Sequence, residues 1–223
     1  MNLSGKVVLI TGSSQGIGKE TAFLFAKERA KLVITYHKNK SGAEEAAEKC
    51  REFGAEDVLV LPLDLRENES IKNAVAKTVE RFGGIDVLIN NAGYLAEKKT
   101  RDQTFEDIED QVRTNLEGLI KMTSAALLHI KEAVINIASG AGKSPYAELA
   151  TYSATKFGVR GFTQSLAIEE PKLRIIAVNP GLTATAMTDF EGEPPQHVAE
   201  VVLKATKGDI KPDAQNDVDV WEY

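Results

Sequence analysis

The 223-residue chain has one cysteine, one tryptophan and three histidines. A lone thiol, Cys50, rules out an internal disulfide. His37, His129 and His197 lie too far apart for metal-ligand spacing, so neither a disulfide scaffold nor a zinc site is expected, and no metal is assigned. Cys50 falls in a helical stripe with Ala43, Ala46, Ala47 and Phe53, which reads as a buried small hydrophobe. No apolar run approaches the ~18 residues of a membrane helix. Met1 to Gly5 lacks a basic stretch and a leader-length apolar core, so no secretory leader is expected. Together these absences predict a cytoplasmic protein with no membrane partner. Basic residues are not in excess: 27 Lys and Arg against 33 Asp and Glu leave a net charge of −6. That balance argues against nucleic acid as a partner. What remains is ordinary globular material, 43% hydrophobic and 27% charged. The length suits a single domain, residues 1–223, with a core large enough to stand without staples.

Short runs rich in β-branched residues alternate with longer stretches of helical spacing. The runs are Val7–Thr11, Leu32–Thr35, Val58–Leu61, Val87–Ile89, Val134–Ile137 and Ile175–Val178. Nearly all their positions are apolar, as strands covered on both faces require. Between them, Ile71, Ala74, Val75, Thr78, Val79 and Phe82 form a helical stripe, and Ile17, Thr21, Leu24 and Phe25 form another. Repeated strand–helix–strand units predict an α/β fold, a doubly wound Rossmann-type parallel sheet of six or seven strands with helices on both faces. After Pro180 the chain reads as a loop through Pro195, then a helix over His197–Thr206. An acidic tail over 209–223 follows, with a short strand at Val218–Val220.

Thr11-Gly12-Ser13-Ser14-Gln15-Gly16-Ile17-Gly18 joins the first strand to the first helix. Glycines there allow a tight turn and close backbone approach to a pyrophosphate. The helix N-terminus adds unpaired N–H groups and partial positive charge. The spacing G-x-x-x-G-x-G differs from the commoner dinucleotide fingerprint, but its strand–loop–helix context is the one that chemistry needs.

The end of the second strand reads the cofactor's ribose. An acid there suits the 2′-hydroxyl of NAD. Tyr36-His37-Lys38-Asn39-Lys40 contains none, and its cations suit a 2′-phosphate. NADP(H) is therefore favoured, with NAD(H) the alternative.

A Tyr-x-x-x-Lys pair places both side chains on one helix face, a turn apart. An ammonium ~4 Å from a phenolate at an effective dielectric of ~20 gains ~4 kcal/mol, up to ~3 pKa units, and makes the tyrosine a usable acid or base. Three pairs satisfy the spacing: Tyr36/Lys40, Tyr94/Lys98 and Tyr152/Lys156. Tyr36 directly follows a strand and Tyr94 lies in a loop. Only Tyr152 opens a helix, and it follows a strand ending in Ala138-Ser139-Gly140.

With these motifs in order the sequence resembles the short-chain dehydrogenase/reductase superfamily, single-domain type, close to 3-oxoacyl-carrier-protein-reductase-like and glucose-dehydrogenase-like members. The glycine loop, Asp64-Leu65, Asn90-Asn91-Ala92-Gly93, Asn115, Ser139, Tyr152-x-x-x-Lys156 and Pro180-Gly181 with Thr183 carry the resemblance, from Ser4 to about Thr188. It implies that Tyr152 exchanges the proton at a carbonyl or hydroxyl oxygen and that Lys156 lowers its pKa and binds the nicotinamide ribose. Ser139 would orient the substrate oxygen, and Asn115 would hold a water in a proton relay. For the cofactor it implies contacts from Gly12, Ser14, Gln15, Gly16, Ile17, Gly18, Tyr36, His37 and Lys38. Asp64, Leu65, Asn91, Ala92, Gly93, Pro180, Gly181 and Thr183 would complete them. It also implies a small carbonyl or alcohol substrate, and a homodimer or homotetramer built on helices around Asp107–Leu128 and Thr151–Ile168. The substrate loop, residues 182–197, is shorter than in typical members. A non-enzymatic dinucleotide sensor on the same fold is the alternative, but such sensors often lose the tyrosine or lysine that this chain keeps.

Overall fold

The computed structural model describes residues 1–223. Seven parallel strands form one sheet in the order β3-β2-β1-β4-β5-β6-β7. They are β1 (Val7–Ile10), β2 (Lys31–Tyr36), β3 (Asp57–Pro62), β4 (Ile85–Asn90), β5 (Ile130–Ile137), β6 (Arg174–Asn179) and β7 (Asp217–Asp219). The helices are α1 (Gly16–Lys27), α2 (Lys40–Glu52), α3 (Asn68–Phe82), α4 (Phe105–Val112), α5 (Gly118–Ala126), α6 (Ala150–Glu169) and α7 (Pro195–Lys207). The expected single doubly wound sheet is what forms, and the acidic tail supplies its seventh strand.

Burial explains the composition of the strands. Val7–Ile10 and Ile85–Asn90 are buried at every position, because helices cover both faces. One apolar cluster, with Phe25, Ala43, Cys50, Val198 and Val202, packs α1, α2 and α7 on one side. A second, with Ile71, Val75, Met122 and Leu166, packs α3, α5 and α6 on the other. Cys50 takes the structural place its stripe predicts, and burial pushes its thiol up to about 12.

The long helix expected around Asp107–Leu128 is interrupted. A π-helical turn, Arg113–Glu117, separates α4 from α5 and contains Asn115. At the C-terminal end of α5, a 3-10 turn over Leu127–His129 runs straight into β5, with no intervening loop. The winding reverses between β1 and β4, which pair in parallel. A crevice therefore opens beyond the C-terminal ends of these strands, where ligands bind in open α/β sheets.

Candidate active site

A cleft of ≈ 480 Å³ occupies that crevice and runs from the glycine loop to the start of α6. At its centre α1 begins with no side-chain cap and no acidic residue in its first turn. Its first N–H groups are left for an anion. Gly12 holds a φ of +65°, and a Cβ there would stand 2.9 Å from the Ala92 Cα. Gly18 is closer still: a Cβ would meet Asn91 Nδ2 at 2.4 Å and the Gly12 carbonyl at 2.6 Å. Asn91 clamps the turn by donating to the Thr11 and Gly12 carbonyls at 2.9 and 3.1 Å. This uncapped, side-chain-free cradle fits the diphosphate of a dinucleotide.

At one end lie His37, Lys38, Asn39, Asp64 and Leu65. Asp64 sits 3.1 Å from His37 Nε2, and Arg66 grips its carboxylate through Nε and Nη2 at 3.1 and 3.0 Å. The Arg66 guanidinium holds the Asp64 carboxyl down at about 2, so it stays ionised. Arg66 also bonds Asp110 at 2.7 Å, tying this end of the cleft to α4. Nothing in the sequence pattern singled out Arg66; its place beside Asp64-Leu65 was the available signal. Three expectations fail here. Tyr36 is not in the cleft: it ends β2, packs on the apolar core, and accepts from Leu63 N–H through its carbonyl. Lys40, weighed with Lys38 as a phosphate cation, starts α2 and turns to Glu44 at 3.4 Å. Gly18 likewise shapes the loop from behind and does not line the cleft.

Ser139, Tyr152 and Lys156 meet at the other end. Ser139 follows β5 and caps a short turn by accepting from Ala141 N–H at 3.1 Å. The Gly140 N–H donates to the Pro180 carbonyl at 2.8 Å, joining this turn to Pro180 and Gly181. Among the three Tyr/Lys pairs only this one shares a helix. Lys98 is spent on Asp107 at 2.8 Å.

The electrostatics differ from the simple charge-pair expectation. Lys156 Nζ lies 5.5 Å from the Tyr152 ring centroid and donates to the Ile137 carbonyl at 2.8 Å. Burial pulls Lys156 down to about 8. Burial pushes the Tyr152 hydroxyl up to about 12, with hydrogen bonding to Ser139 working the other way. Without cofactor, desolvation outweighs the attraction that spacing alone suggested. Asn115 is buried, and its amide is engaged with Tyr94: Oδ1 accepts from Tyr94 N–H at 2.7 Å and Nδ2 donates to its carbonyl at 2.8 Å. Its side chain pins the Gly93–Tyr94 wall.

Thr183, Thr185, Ala186, Met187 and Thr188 complete the cleft, and the last four were not anticipated. Thr185 Cγ2 reaches within 3.2 Å of where a Gly16 Cβ would stand, so this segment crosses the glycine loop. No three His, Cys, Asp or Glu side chains group as for a metal, and no helix is long and apolar enough to cross a membrane.

Residues 6–196 match the family described as short chain dehydrogenase. Glucose 1-dehydrogenase 2 of Bacillus subtilis is 34% identical, over 82% of this chain and 74% of its own. The NADP-dependent 3-hydroxy acid dehydrogenase of Schizosaccharomyces pombe is 35% identical, over 91% and 87%. A short chain dehydrogenase from Burkholderia cenocepacia solved with NADP superposes at a TM-score of 0.88, 27% identical, over 98% of this chain and 97% of that one. Levodione reductase superposes at 0.90, 27% identical, over 97% and 96%.

Proposed function

The chain belongs to the short chain dehydrogenase family, and on that footing we propose that Tyr152, Ser139 and Lys156 interconvert a carbonyl and an alcohol, with NADP(H) preferred over NAD(H). The protein is a nicotinamide-dependent oxidoreductase. The observation that carries the assignment of roles is convergence: the Ser139 and Tyr152 hydroxyls and the Lys156 ammonium meet at one end of a cleft whose middle is an uncapped helix N-terminus.

A nicotinamide held in this cleft would supply the hydride to the carbonyl carbon, or accept it from the alcohol carbon. The chain supplies position and protons. Ser139 donates to the substrate oxygen. Tyr152, protonated at neutral pH, gives its proton to that oxygen during reduction and takes it back during oxidation. Lys156 would hold the nicotinamide ribose and would steady a tyrosinate when one forms. Gly12, Ser14, Gln15, Gly16 and Ile17 hold the diphosphate; Asp64 and Leu65 receive the adenine; Asn91, Ala92 and Gly93 flank the ribose side. Pro180, Gly181 and Thr183 hold the carboxamide end. Lys38 and His37 favour the 2′-phosphate, because the carboxylate beside His37, Asp64, is already paired with Arg66.

The sensor alternative is not favoured, since the cleft keeps a complete set of proton-handling groups. Phe105, Val112 and Phe157 remain exposed on α4 and α6, which supports pairing of two copies through those helices. The test is oxidation of NADPH and NADH with aldehydes, ketones and quinones. Tyr152→Phe is expected to lower turnover by about 10²-fold or more with cofactor binding retained. Equal turnover in the variant overturns the role of Tyr152.

A further inference from the structure

Charge is distributed unevenly along the cleft. Its lining includes His37, Lys38, Asp64, Arg66 and Asp110, all toward the adenosine end. Toward the reacting end the one ionisable cation is Lys156, and its ammonium is turned to the Ile137 carbonyl. The wall there is Ile137, Ala138, Gly93, Tyr94, Ala186 and Met187. Tyr94 and Met187 keep exposures of 39% and 40%, so both present apolar surface to whatever occupies the site.

The segment bordering this end strengthens the pattern. Residues 181–194 contain Asp189, Glu191 and Glu193 and no lysine, arginine or histidine. The same segment exposes Leu182, Met187 and Phe190. It is braced in this shape: Thr183 bridges Glu193, and a Cβ on Gly192 would collide with the Leu182 carbonyl at 2.3 Å. Its threonine hydroxyls are already engaged. Thr183 donates to the Gly181 carbonyl, Thr185 accepts from Met187 N–H, and Thr188 donates to the Thr183 carbonyl at 2.6 Å.

We propose that the substrate is an uncharged carbonyl compound, or its alcohol, carrying an apolar aryl or alicyclic body that rests on Met187 and Tyr94. This rests on the oxidoreductase roles given above and narrows them. A carboxylate or phosphate at this end finds no cation but Lys156, whose ammonium is already bonded to the Ile137 carbonyl, and the bordering segment carries only acids; burying an unpaired charge is costly. A polyol finds few free partners, and a hydroxyl without one is selected against. The inference departs from the substrates named for the glucose and 3-hydroxy acid dehydrogenase relatives.

The test uses matched probes with saturating NADPH or NADH: acetophenone, 4-acetylbenzoate and glucose. Acetophenone, or its alcohol in the oxidising direction, is expected to exceed the carboxylate in kcat/KM by about tenfold or more. Met187→Lys is expected to raise the carboxylate relative to the neutral ketone by about tenfold, by adding the missing cation. Preferential turnover of 4-acetylbenzoate or glucose by the unaltered protein, or an unchanged ratio in Met187→Lys, overturns the inference while leaving the oxidoreductase roles standing. Absence of turnover with every carbonyl and alcohol overturns both.

Discussion

Lys156 lies one helical turn beyond Tyr152, yet its ammonium is given to the Ile137 carbonyl at 2.8 Å and stands 5.5 Å from the tyrosine ring centroid. Burial holds Tyr152 at about 12 and Lys156 at about 8. At neutral pH the tyrosine therefore keeps its proton while the lysine still carries its charge. A protonated tyrosine is the form that carbonyl reduction consumes and alcohol oxidation must first lose.

Oxidation and reduction should accordingly show opposite pH trends. The kcat/KM for alcohol oxidation should rise as pH increases from 7 toward 10, since it reports groups of the free enzyme. Carbonyl reduction should show no such rise. Steady-state profiles in both directions check this, and an oxidation rate independent of pH would remove Tyr152 as the base.

Lys156 also makes a stability prediction. Its folded pKa, about 8, lies below the ordinary 10.5. Between those values the unfolded chain binds more protons, so stability rises with pH through that window; the contribution is lost as pH falls through about 8. Lys156→Met lacks this term. Denaturant titrations at pH 7 and pH 9.5 should show wild type gaining on the variant at the higher pH, and parallel behaviour would sink the assignment of a desolvated ammonium.

The second-strand end predicts cofactor choice. Lys38 lines the cleft, and the Asp64 carboxylate is paired with the Arg66 guanidinium. Lys38→Glu places a carboxylate where a 2′-phosphate is expected. It should weaken NADPH by about tenfold or more while changing NADH far less. Fluorescence titration with both cofactors decides, and equal losses would remove Lys38 from phosphate recognition.

What the sequence revealed depended on the range of each contact. Strands buried on both faces announce themselves by unbroken apolar runs, and six were read from Val7–Thr11 to Ile175–Val178. β7 was harder, because Asp217-Val218-Asp219 alternates charge; its aspartates are buried only because Arg160, Lys143 and Asn179 meet them. The glycine loop and Tyr152/Lys156 are local patterns and were legible. The Arg66–Asp110 bond, the place of Met187 in the cleft and the Asn115–Tyr94 bonds join segments far apart in the chain, and no local spacing encodes them. Tyr36 was misplaced because it is the last residue of β2 and packs on the core, while His37 and Lys38 lie past the strand's end and reach the cleft.

Gly18 should prove intolerant of a single methyl group. A Cβ there meets the Gly12 carbonyl at 2.6 Å and the Asn91 amide at 2.4 Å, and that amide holds the turn. Gly18→Ala should cost about 1–3 kcal/mol of stability by overpacking and weaken either cofactor, without altering the preference between them. Thermal unfolding and cofactor titration together test this; wild-type affinity in the variant would show that the loop yields.

Arg160 on α6 clamps the C-terminal strand to the catalytic turn. Its Nε donates to Asp217 Oδ2 at 2.8 Å, its Nη2 donates to the same oxygen, and its Nη1 donates to the Gly142 carbonyl at 2.8 Å. Gly142 lies three residues after Ser139, and the Asp217 side chain is 1% exposed. Removing the carboxylate leaves a guanidinium buried without its partner, which typically costs about 3–5 kcal/mol. Asp217→Ala should lower the melting temperature and, because the freed arginine no longer fixes the Gly142 carbonyl, lower kcat by about tenfold. Cofactor affinity should hold, since neither residue lines the cleft. A fall in stability with kcat intact would make the clamp purely structural. A fall in kcat accompanied by an unchanged cofactor Kd places the C-terminal strand among the elements that aim Ser139 at the substrate oxygen.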